Sequence, residues 1–187
     1  FICINKMDLA GDESRELIEY ISAVYEDAGY PVLLTSCETG EGFDELRDQL
    51  SGKSTVFSGH SGVGKTSILN AMIPETDARI QDLSDQSRRG IHTTTKSTLY
   101  ELPTGGYLAD TPGIREFGLY HFDKYDLHAY YPEFLRYADG CRYPHCTHIH
   151  EPDCAVKAAI EEGELEELRY ENYQQILASE EEYERKR

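Results

Sequence analysis

The sequence predicts an α/β fold, a mixed sheet with flanking helices, followed by a small helical segment that carries a metal site. Short β-forming runs alternate with helical stretches over the first two thirds of the 187 residues, as in a sheet with crossover helices. Composition changes after Phe117, and residues 120–154 hold three of the five cysteines. From Ala155 onward the apolar spacing becomes helical. We therefore expect two domains, residues 1–117 and 118–187.

Each element of the first domain is predicted from a local signal. Five β-forming runs predict strands, at Phe1–Ile4, Pro31–Ser36, Thr55–Ser58, Ser97–Leu102 and Tyr107–Asp110. Apolar residues at three-to-four spacing predict helices over Asp12–Ala28, Gly42–Leu50 and Gly64–Met72, the first with a stripe of Leu17, Ile18, Ile21 and Val24. Apolar residues become sparse between Pro74 and Thr95, which predicts a long loop.

Charge and composition argue against several classes of protein. The chain has 35 acidic and 18 basic residues, a formal net charge of −17 and an isoelectric point near 4.7. Such an acidic surface cannot by itself hold a phosphate backbone, so a self-sufficient nucleic-acid-binding module is not expected. No apolar run is long enough for a membrane span and no leader is recognised, so we expect neither membrane contact nor secretion. Five cysteines without a leader favour reduced thiols and a cytoplasmic location.

A phosphate-binding loop is predicted between a strand and a helix. The run Gly59-His60-Ser61-Gly62-Val63-Gly64-Lys65-Thr66 matches the pattern G-x-x-x-x-G-K-[ST]. Its glycines let backbone N–H groups point at phosphates, and the helix N-terminus adds positive potential. We expect Lys65 and Thr66 to be catalytic, Lys65 at the β- and γ-phosphates and Thr66 on Mg²⁺, with Ser67 also at the nucleotide. The loop does not distinguish ATP from GTP.

A guanine-reading motif follows the first predicted strand. Asn5-Lys6-Met7-Asp8 fits N-K-x-D, and the Asp8 carboxylate can accept hydrogen bonds from N1–H and the exocyclic amino group of guanine. Adenine lacks that pair of donors, and a site that demands such bonds can reject the wrong base by roughly 10⁴-fold or more. The turn at Ser36 and Cys37, after the next strand, would bring backbone amides to the guanine carbonyl, with Cys37 as a small packing residue.

Two further segments are predicted to respond to the γ-phosphate. Asp110-Thr111-Pro112-Gly113 fits D-x-x-G at a strand end, where Asp110 would reach Mg²⁺ through water and the Gly113 N–H would contact the γ-phosphate. Gly90-Ile91-His92-Thr93-Thr94-Thr95 lies in the predicted long loop. One of its threonines would close over Mg²⁺; Thr94 and Thr95 are assigned to the nucleotide, and which threonine switches stays open.

The order of these motifs is unusual. N-K-x-D and the Ser36-Cys37 turn precede the phosphate loop, whereas in an ordinary small GTPase they follow it. A circularly permuted chain can form the same sheet, because termini that lie close together can be joined and the chain opened elsewhere. The sequence therefore predicts a circularly permuted P-loop GTPase domain over residues 1–117.

A metal site is predicted in the C-terminal segment. Cys141, Cys146, His148 and Cys154 are separated by four, one and five residues among many turn formers. Three thiolates and one imidazole make a closed tetrahedral set for one structural Zn²⁺, with His145 and His150 as lower-ranked ligands. Few aliphatic residues surround the cluster, so the metal would supply folding energy to a zinc-binding helical domain over residues 118–187.

Together these motifs resemble a bacterial family. The order N-K-M-D, S-C-E-T-G-E-G, G-H-S-G-V-G-K-T, G-I-H-T-T-T and D-T-P-G-I-R-E-F, followed by C-x4-C-x-H-x5-C, is similar to the circularly permuted GTPases that depend on the small ribosomal subunit, the RsgA/YjeQ type. The resemblance implies hydrolysis of GTP to GDP stimulated by the 30S subunit, a role in its late maturation, and contact with ribosomal RNA. It also implies an N-terminal OB-fold domain and a further strand and helix before N-K-x-D, so we expect a fragment; we also expect a monomer.

The resemblance also implies a catalytic role for His92. Ile114 stands after the D-x-x-G motif, where many GTPases have a water-orienting Gln, and His92 would take over that role. A second function stays open, a binding module switched between GTP and GDP states with little intrinsic hydrolysis. A third, an ATP-using P-loop enzyme, is disfavoured by Asp8.

Overall fold

The computed structural model describes residues 1–73, 80–82, 98–110 and 124–186. Contacts divide the chain into two compact units, the first Phe1–Arg15 with Val32–Phe117 and the second Glu16–Pro31 with Gly118–Arg187. No sequence pattern indicated that residues 16–31 pack with the C-terminal residues. The assignment of residues 1–117 to a GTPase domain and 118–187 to a zinc-binding domain stays a prediction.

The strands of the first unit lie close to their predicted positions. They are β1 (Ile2–Asn5), β2 (Val32–Thr35), β3 (Ser54–Val56), β4 (Ile80–Asp82), β5 (Thr98–Glu101) and β6 (Tyr107–Asp110). The exception is β4, which lies inside the segment predicted as a long loop, so that prediction is wrong for residues 80–82. Strand β4 pairs antiparallel with β5 through its backbone, with Ile80 opposite Tyr100. Backbone pairing requires no apolar pattern, which is why the polar sequence did not reveal this strand.

The described strands form two hydrogen-bonded sheets where one was expected. Strands β1 and β2 pair in parallel, with Ile2 opposite Val32. The second sheet has the order β3-β6-β5-β4, and it is mixed as predicted because β3 and β6 are parallel while its other pairs are antiparallel. Among the described residues β1 and β3 do not pair, and a cleft lined by residues 1–3 and 53–58 lies between them.

Three helices in residues 12–72 lie within one residue of the predicted bounds, and the first of them belongs mostly to the second unit, from Glu16 onward. They are α1 (Asp12–Asp27), α2 (Phe43–Leu50) and α3 (Lys65–Met72). Helix α2 begins after Gly42, which has φ +72°. A Cβ at this position would collide with the Leu34 carbonyl oxygen, so the turn requires glycine. The core of the first unit joins apolar side chains of α2 and α3 to the mixed sheet, namely Phe43, Leu46, Leu50, Ile68, Leu69, Met72, Ile73, Leu102 and Leu108.

The second unit is built around aromatic side chains. It contains a 3₁₀ helix (Lys124–Tyr130) and the helices α4 (Pro132–Ala138), α5 (Ala155–Glu161) and α6 (Glu167–Lys186). Phe134 and Tyr173 are fully buried, with ring centroids 5.0 Å apart. In the part of the chain that the structure describes, no helix is both long enough and apolar enough to span a lipid bilayer.

A buried ion pair ties α4 to α6. The Arg169 Nε donates to Glu133 Oε1 at 2.6 Å, and both side chains are less than one tenth exposed. The guanidinium lies over the rings of Tyr25 and Tyr131, 4.7 and 4.6 Å from their centroids. Removing one partner of such a pair leaves a buried charge and typically costs about 3–5 kcal/mol, so the pair fixes how α4 and α6 pack.

Candidate functional site

The N-K-x-D motif and the phosphate loop meet in one cleft of the first unit. The Asn5 Nδ2 donates to the Val63 carbonyl at 3.0 Å, and the Lys6 Nζ donates to the Gly62 carbonyl at 2.7 Å. Two segments nearly sixty residues apart in the chain therefore form one surface. This candidate nucleotide cleft is lined by Cys3, Ile4, Asn5, Lys6, Phe57, Ser58, Ser61, Gly62, Val63, Lys65 and Ile68.

The phosphate loop has the conformation that its glycines permit. Gly64 precedes α3 with φ +99°, and a Cβ there would collide with the Asn5 amide, so glycine is required for both reasons. Lys65 is the first residue of α3, and its ammonium donates to the carbonyls of Gly59 and His60 at 2.6 and 2.7 Å. The Lys65 ammonium is thus bonded to the backbone of its own loop, and an anionic ligand would compete with these two carbonyls for the ammonium.

The predicted base-reading side chain is held by the predicted turn. Asp8 is exposed in a short 3₁₀ helix (Met7–Leu9), and its Oδ1 accepts a 2.5 Å hydrogen bond from the Ser36 hydroxyl. Ser36 is fully buried, and its Oγ also accepts from the backbone N–H groups of Glu38 and Thr39. Asp8 keeps a second carboxylate oxygen for a ligand.

Asn5 is fixed by the same turn. Its Oδ1 accepts from the Thr35 hydroxyl at 3.2 Å and from the Cys37 thiol at 3.8 Å. Burial raises the pKa of the Cys37 thiol, which keeps that group protonated as a donor. Sequence reasoning missed Thr35, because a strand-end threonine has no motif to mark it.

The remaining nucleotide candidates are located only in part. Strands β3 and β6 are parallel neighbours with Val56 opposite Ala109, so Asp110, the last residue of β6, lies at the end of the sheet from which the phosphate loop starts. His92, Thr93, Thr94, Thr95 and Gly113 lie outside the described residues.

The four predicted metal ligands converge in the second unit. The ligand atoms of Cys141, Cys146, His148 and Cys154 all lie within 4.8 Å of one another. The Sγ atoms of Cys141 and Cys154 are 3.9 Å apart, and His148 Nδ1 is 3.6 and 3.4 Å from them. Tetrahedral Zn²⁺ with Zn–S bonds of about 2.3 Å separates two sulfurs by about 3.8 Å, so the spacing fits. Among the described residues these four form the metal-ligand cluster; His145 and His150 are not members of it.

The protonation states of the ligands determine how a metal would bind at this cluster. Burial, with a smaller contribution from His128, lowers the pKa of His148 to about 4, so the imidazole is neutral and can ligate at pH 7. Burial raises the pKa values of the Cys146 and Cys154 thiols, so these groups carry protons until a metal replaces them. A divalent metal would therefore bind with release of thiol protons.

A hydrogen-bonded carboxylate lies beside the metal ligands. The Glu151 carboxylate accepts from the N–H and hydroxyl of Thr147 at 2.9 and 2.8 Å, and from the Ile149 N–H at 3.2 Å. Partial burial alone would raise the pKa of Glu151, but these donors outweigh it and lower the pKa to about 2. Glu151 is thus a fixed anion at neutral pH, a role that sequence reasoning also missed.

Comparison with known proteins places these features in a family. The family model described as RsgA GTPase matches residues 1–120. Two curated relatives named "Small ribosomal subunit biogenesis GTPase RsgA" are 42% identical over 181 residues, from Actinobacillus succinogenes, and 44% identical over 180 residues, from Photorhabdus laumondii. The matches cover 97% and 95% of this chain but 52% and 51% of the relatives, so the chain spans about half their length.

Two solved structures have similar folds. YjeQ from Thermotoga maritima superposes with a TM-score of 0.79 at 36% identity, over 95% of this chain and 58% of that one. YloQ, described as a circularly permuted GTPase, gives a TM-score of 0.74 at 33% identity, over 98% and 57%. The predicted permuted GTPase fold is confirmed by these neighbours.

Proposed function

Because this chain belongs to the RsgA GTPase family, we propose that it hydrolyses GTP to GDP and phosphate as a late maturation factor of the small ribosomal subunit, which stimulates the reaction. The observation that carries the proposal is the pair of bonds from Asn5 and Lys6 to the carbonyls of Val63 and Gly62. They join the base-reading motif to the phosphate-binding loop, so one nucleotide can occupy both.

Recognition of guanine is assigned to the N-K-x-D side of the cleft. The Asp8 carboxylate accepts from guanine N1–H and the exocyclic amino group, while the Ser36 hydroxyl holds it in place. Met7 is buried behind it and supports the 3₁₀ turn. The backbone after Ser36, at Cys37, faces the guanine carbonyl. Adenine would leave the Asp8 carboxylate unpaired, which opposes ATP binding.

Binding of the phosphates is assigned to residues 59–67. Backbone N–H groups of Gly59, His60, Ser61, Gly62, Val63 and Gly64 cradle the phosphates, with Ser67 following Lys65 and Thr66 on α3. The Lys65 ammonium would exchange its two carbonyl partners for phosphate oxygens. Thr66 and Asp110 would hold Mg²⁺, which neutralises charge developing on the transferred phosphoryl group. Thr94, Thr95 and Gly113 are proposed to meet the γ-phosphate.

We propose that His92 orients the attacking water. The His92→Ala variant should lower kcat well over tenfold while leaving GTP affinity nearly unchanged, since the group acts on the transition state. Single-turnover hydrolysis and equilibrium binding of a fluorescent GTP analogue separate the two effects. An unchanged kcat would remove His92 from the mechanism.

The partners and the metal are proposed on the same basis. The relatives' name supports an interaction with the small ribosomal subunit, and we propose contact with its RNA, a monomeric state and a cytoplasmic location. The donor set and its spacing support one structural Zn²⁺ on Cys141, Cys146, His148 and Cys154.

Hydrolysis measured with and without isolated small subunits tests the proposed function. Single-turnover GTP hydrolysis should be slow for the chain alone and faster with 30S subunits, and excess ATP should not displace GTP. Equal affinities for ATP and GTP would overturn the guanine assignment. Binding of GTP with no turnover in either condition would favour a switched binding module.

A further inference from the structure

The loop that presents His148 is held to the neighbouring helices by its backbone. We call residues 147–151 the metal loop. Three consecutive carbonyls of this loop each accept a hydrogen bond from a different helical side chain. The Tyr173 hydroxyl donates to the Thr147 carbonyl at 2.8 Å, and the Tyr170 hydroxyl donates to the His148 carbonyl at 2.7 Å. The Lys157 ammonium donates to the Ile149 carbonyl at 3.2 Å.

Two N–H groups of the metal loop are held by a carboxylate from the loop's own last residue, Glu151. Glu151 accepts from the N–H groups of Thr147 and Ile149, on either side of His148. Five backbone groups of three successive residues are thus fixed by four side chains. Three of these side chains come from α5 and α6 and make no contribution to the ligand set.

This anchoring offsets an unfavourable backbone conformation. His148 has φ +61°, in the left-handed region that is unfavourable for a residue other than glycine. The conformation turns the fully buried imidazole toward the thiols, with Nδ1 3.4 Å from Cys154 Sγ. The five anchoring hydrogen bonds together offset this penalty.

We propose that Tyr170, Tyr173, Lys157 and Glu151 are positioning residues that hold the metal loop ready for the metal and thereby set the affinity of the site. The inference rests on the proposed zinc site and deepens it. A preorganised ligand does not have to be ordered when the ion binds, so the ion retains more of its binding free energy. Outer groups that orient ligands typically alter metal affinity by about 10- to 100-fold.

The test removes the two hydroxyls and keeps the rings. In the double variant Tyr170→Phe/Tyr173→Phe, the aromatic core stays filled while two carbonyls of the metal loop lose their donors. The matched control is Tyr137→Phe, which removes a hydroxyl that donates to the Glu164 carbonyl at 3.4 Å in the same unit. Zn²⁺ affinity is measured by competition with a chromophoric chelator, and ligand geometry by the visible d–d spectrum of the Co²⁺-loaded chain.

We expect the double variant to bind Zn²⁺ about 10- to 100-fold more weakly and to show an altered Co²⁺ spectrum, while the control stays within twofold of the parent chain. Parental affinity and spectrum in the double variant would overturn the positioning role and leave the metal site standing. Failure of the parent chain to bind Zn²⁺ would overturn the metal site and this inference with it. Should the double variant not fold, the Glu151→Gln and Lys157→Met variants face the same criteria.

Discussion

The phosphate loop and the metal loop are both held by side-chain donors on backbone carbonyls, but the donors differ in kind. At the phosphate loop the donors are the amide of Asn5 and the charged ammonium groups of Lys6 and Lys65. At the metal loop two of the donors are the hydroxyls of Tyr170 and Tyr173, on rings packed in the core of the second unit. The first set is on the surface of a cleft, and the second is part of a core.

This difference suits the two ligands that we propose, a nucleotide that exchanges and a structural metal ion. Lys65 donates its hydrogen bonds to carbonyls that a phosphate can replace, so the loop can bind and release a nucleotide with a small change in free energy. The rings of Tyr170 and Tyr173 pack in the core of the second unit while their hydroxyls hold the metal loop, so displacing them would open the core. The proposed exchangeable substrate would thus meet contacts that can be replaced, and the proposed structural ion would meet contacts that stay in place.

The largest effect is expected from removing a metal ligand. Cys154→Ser should lower Zn²⁺ affinity by more than about a thousandfold, because structural Zn²⁺ contributes roughly 10–16 kcal/mol in small zinc domains. Thermal unfolding and metal content measure the loss, and chelation of the parent chain should reproduce it. Cys3→Ser, in the first unit, serves as control and should keep the metal. A metal content unaffected by Cys154→Ser would contradict the comparison, since the metal would then be bound away from the metal loop.

A smaller effect is expected from the phosphate-loop lysine. Lys65→Ala should weaken GTP binding by about 100-fold, because the ammonium gives up its bonds to the Gly59 and His60 carbonyls when it binds phosphate, and the net gain is about that of one charged hydrogen bond, about 1.5–3 kcal/mol. Calorimetric titration with GTP measures the change, and metal content should not alter. The exposed Lys53 provides the control variant Lys53→Ala, for which parental affinity is expected. A similar loss in both variants would mean that general positive charge, rather than Lys65, attracts the nucleotide.

A still smaller effect is expected from disturbing the Asn5 side chain, which joins the two nucleotide segments through its bond to the Val63 carbonyl. We call this bond the brace. Gly64→Ala and Gly29→Ala both place a Cβ at positive φ, +99° and +89°, which costs about 1–3 kcal/mol. Only at Gly64 does the new Cβ meet a neighbour, the Asn5 amide, whereas Gly29 has open space. Both variants should lose similar stability in chemical unfolding, but only Gly64→Ala should lose GTP affinity, by about tenfold. Equal GTP affinities in the two variants would show that the brace is dispensable.

The sequence predicted what local chemistry determines. Glycine, lysine and N-K-x-D spacing identified residues 5–8 and 59–66, and these segments do meet in one cleft. Cysteine and histidine spacing identified the four residues that converge in the second unit. These motifs are short, and their residue types are tied to one chemistry, so they can be read without knowledge of packing.

Long-range packing could not be read in this way. Leu17 belongs to the apolar stripe predicted for α1, yet it is 57% exposed, while the charged Arg169 is 7% exposed beneath tyrosine rings. Tyr170 and Tyr173 follow the helical spacing of core residues, and their hydroxyl partners depend on where the metal loop folds back. Periodicity indicates that a face is buried and leaves open what it is buried against.

We propose that Asp8 selects guanine in a cleft assembled from a permuted chain. The most direct measurement compares the affinities of the parent chain and the Asp8→Asn variant for GTP and xanthosine triphosphate. Xanthine presents a carbonyl where guanine has its amino group, and the asparagine amide can donate to it, so we predict that the variant prefers the xanthine nucleotide. An Asp8→Asn variant that still prefers GTP as strongly as the parent chain would contradict the account.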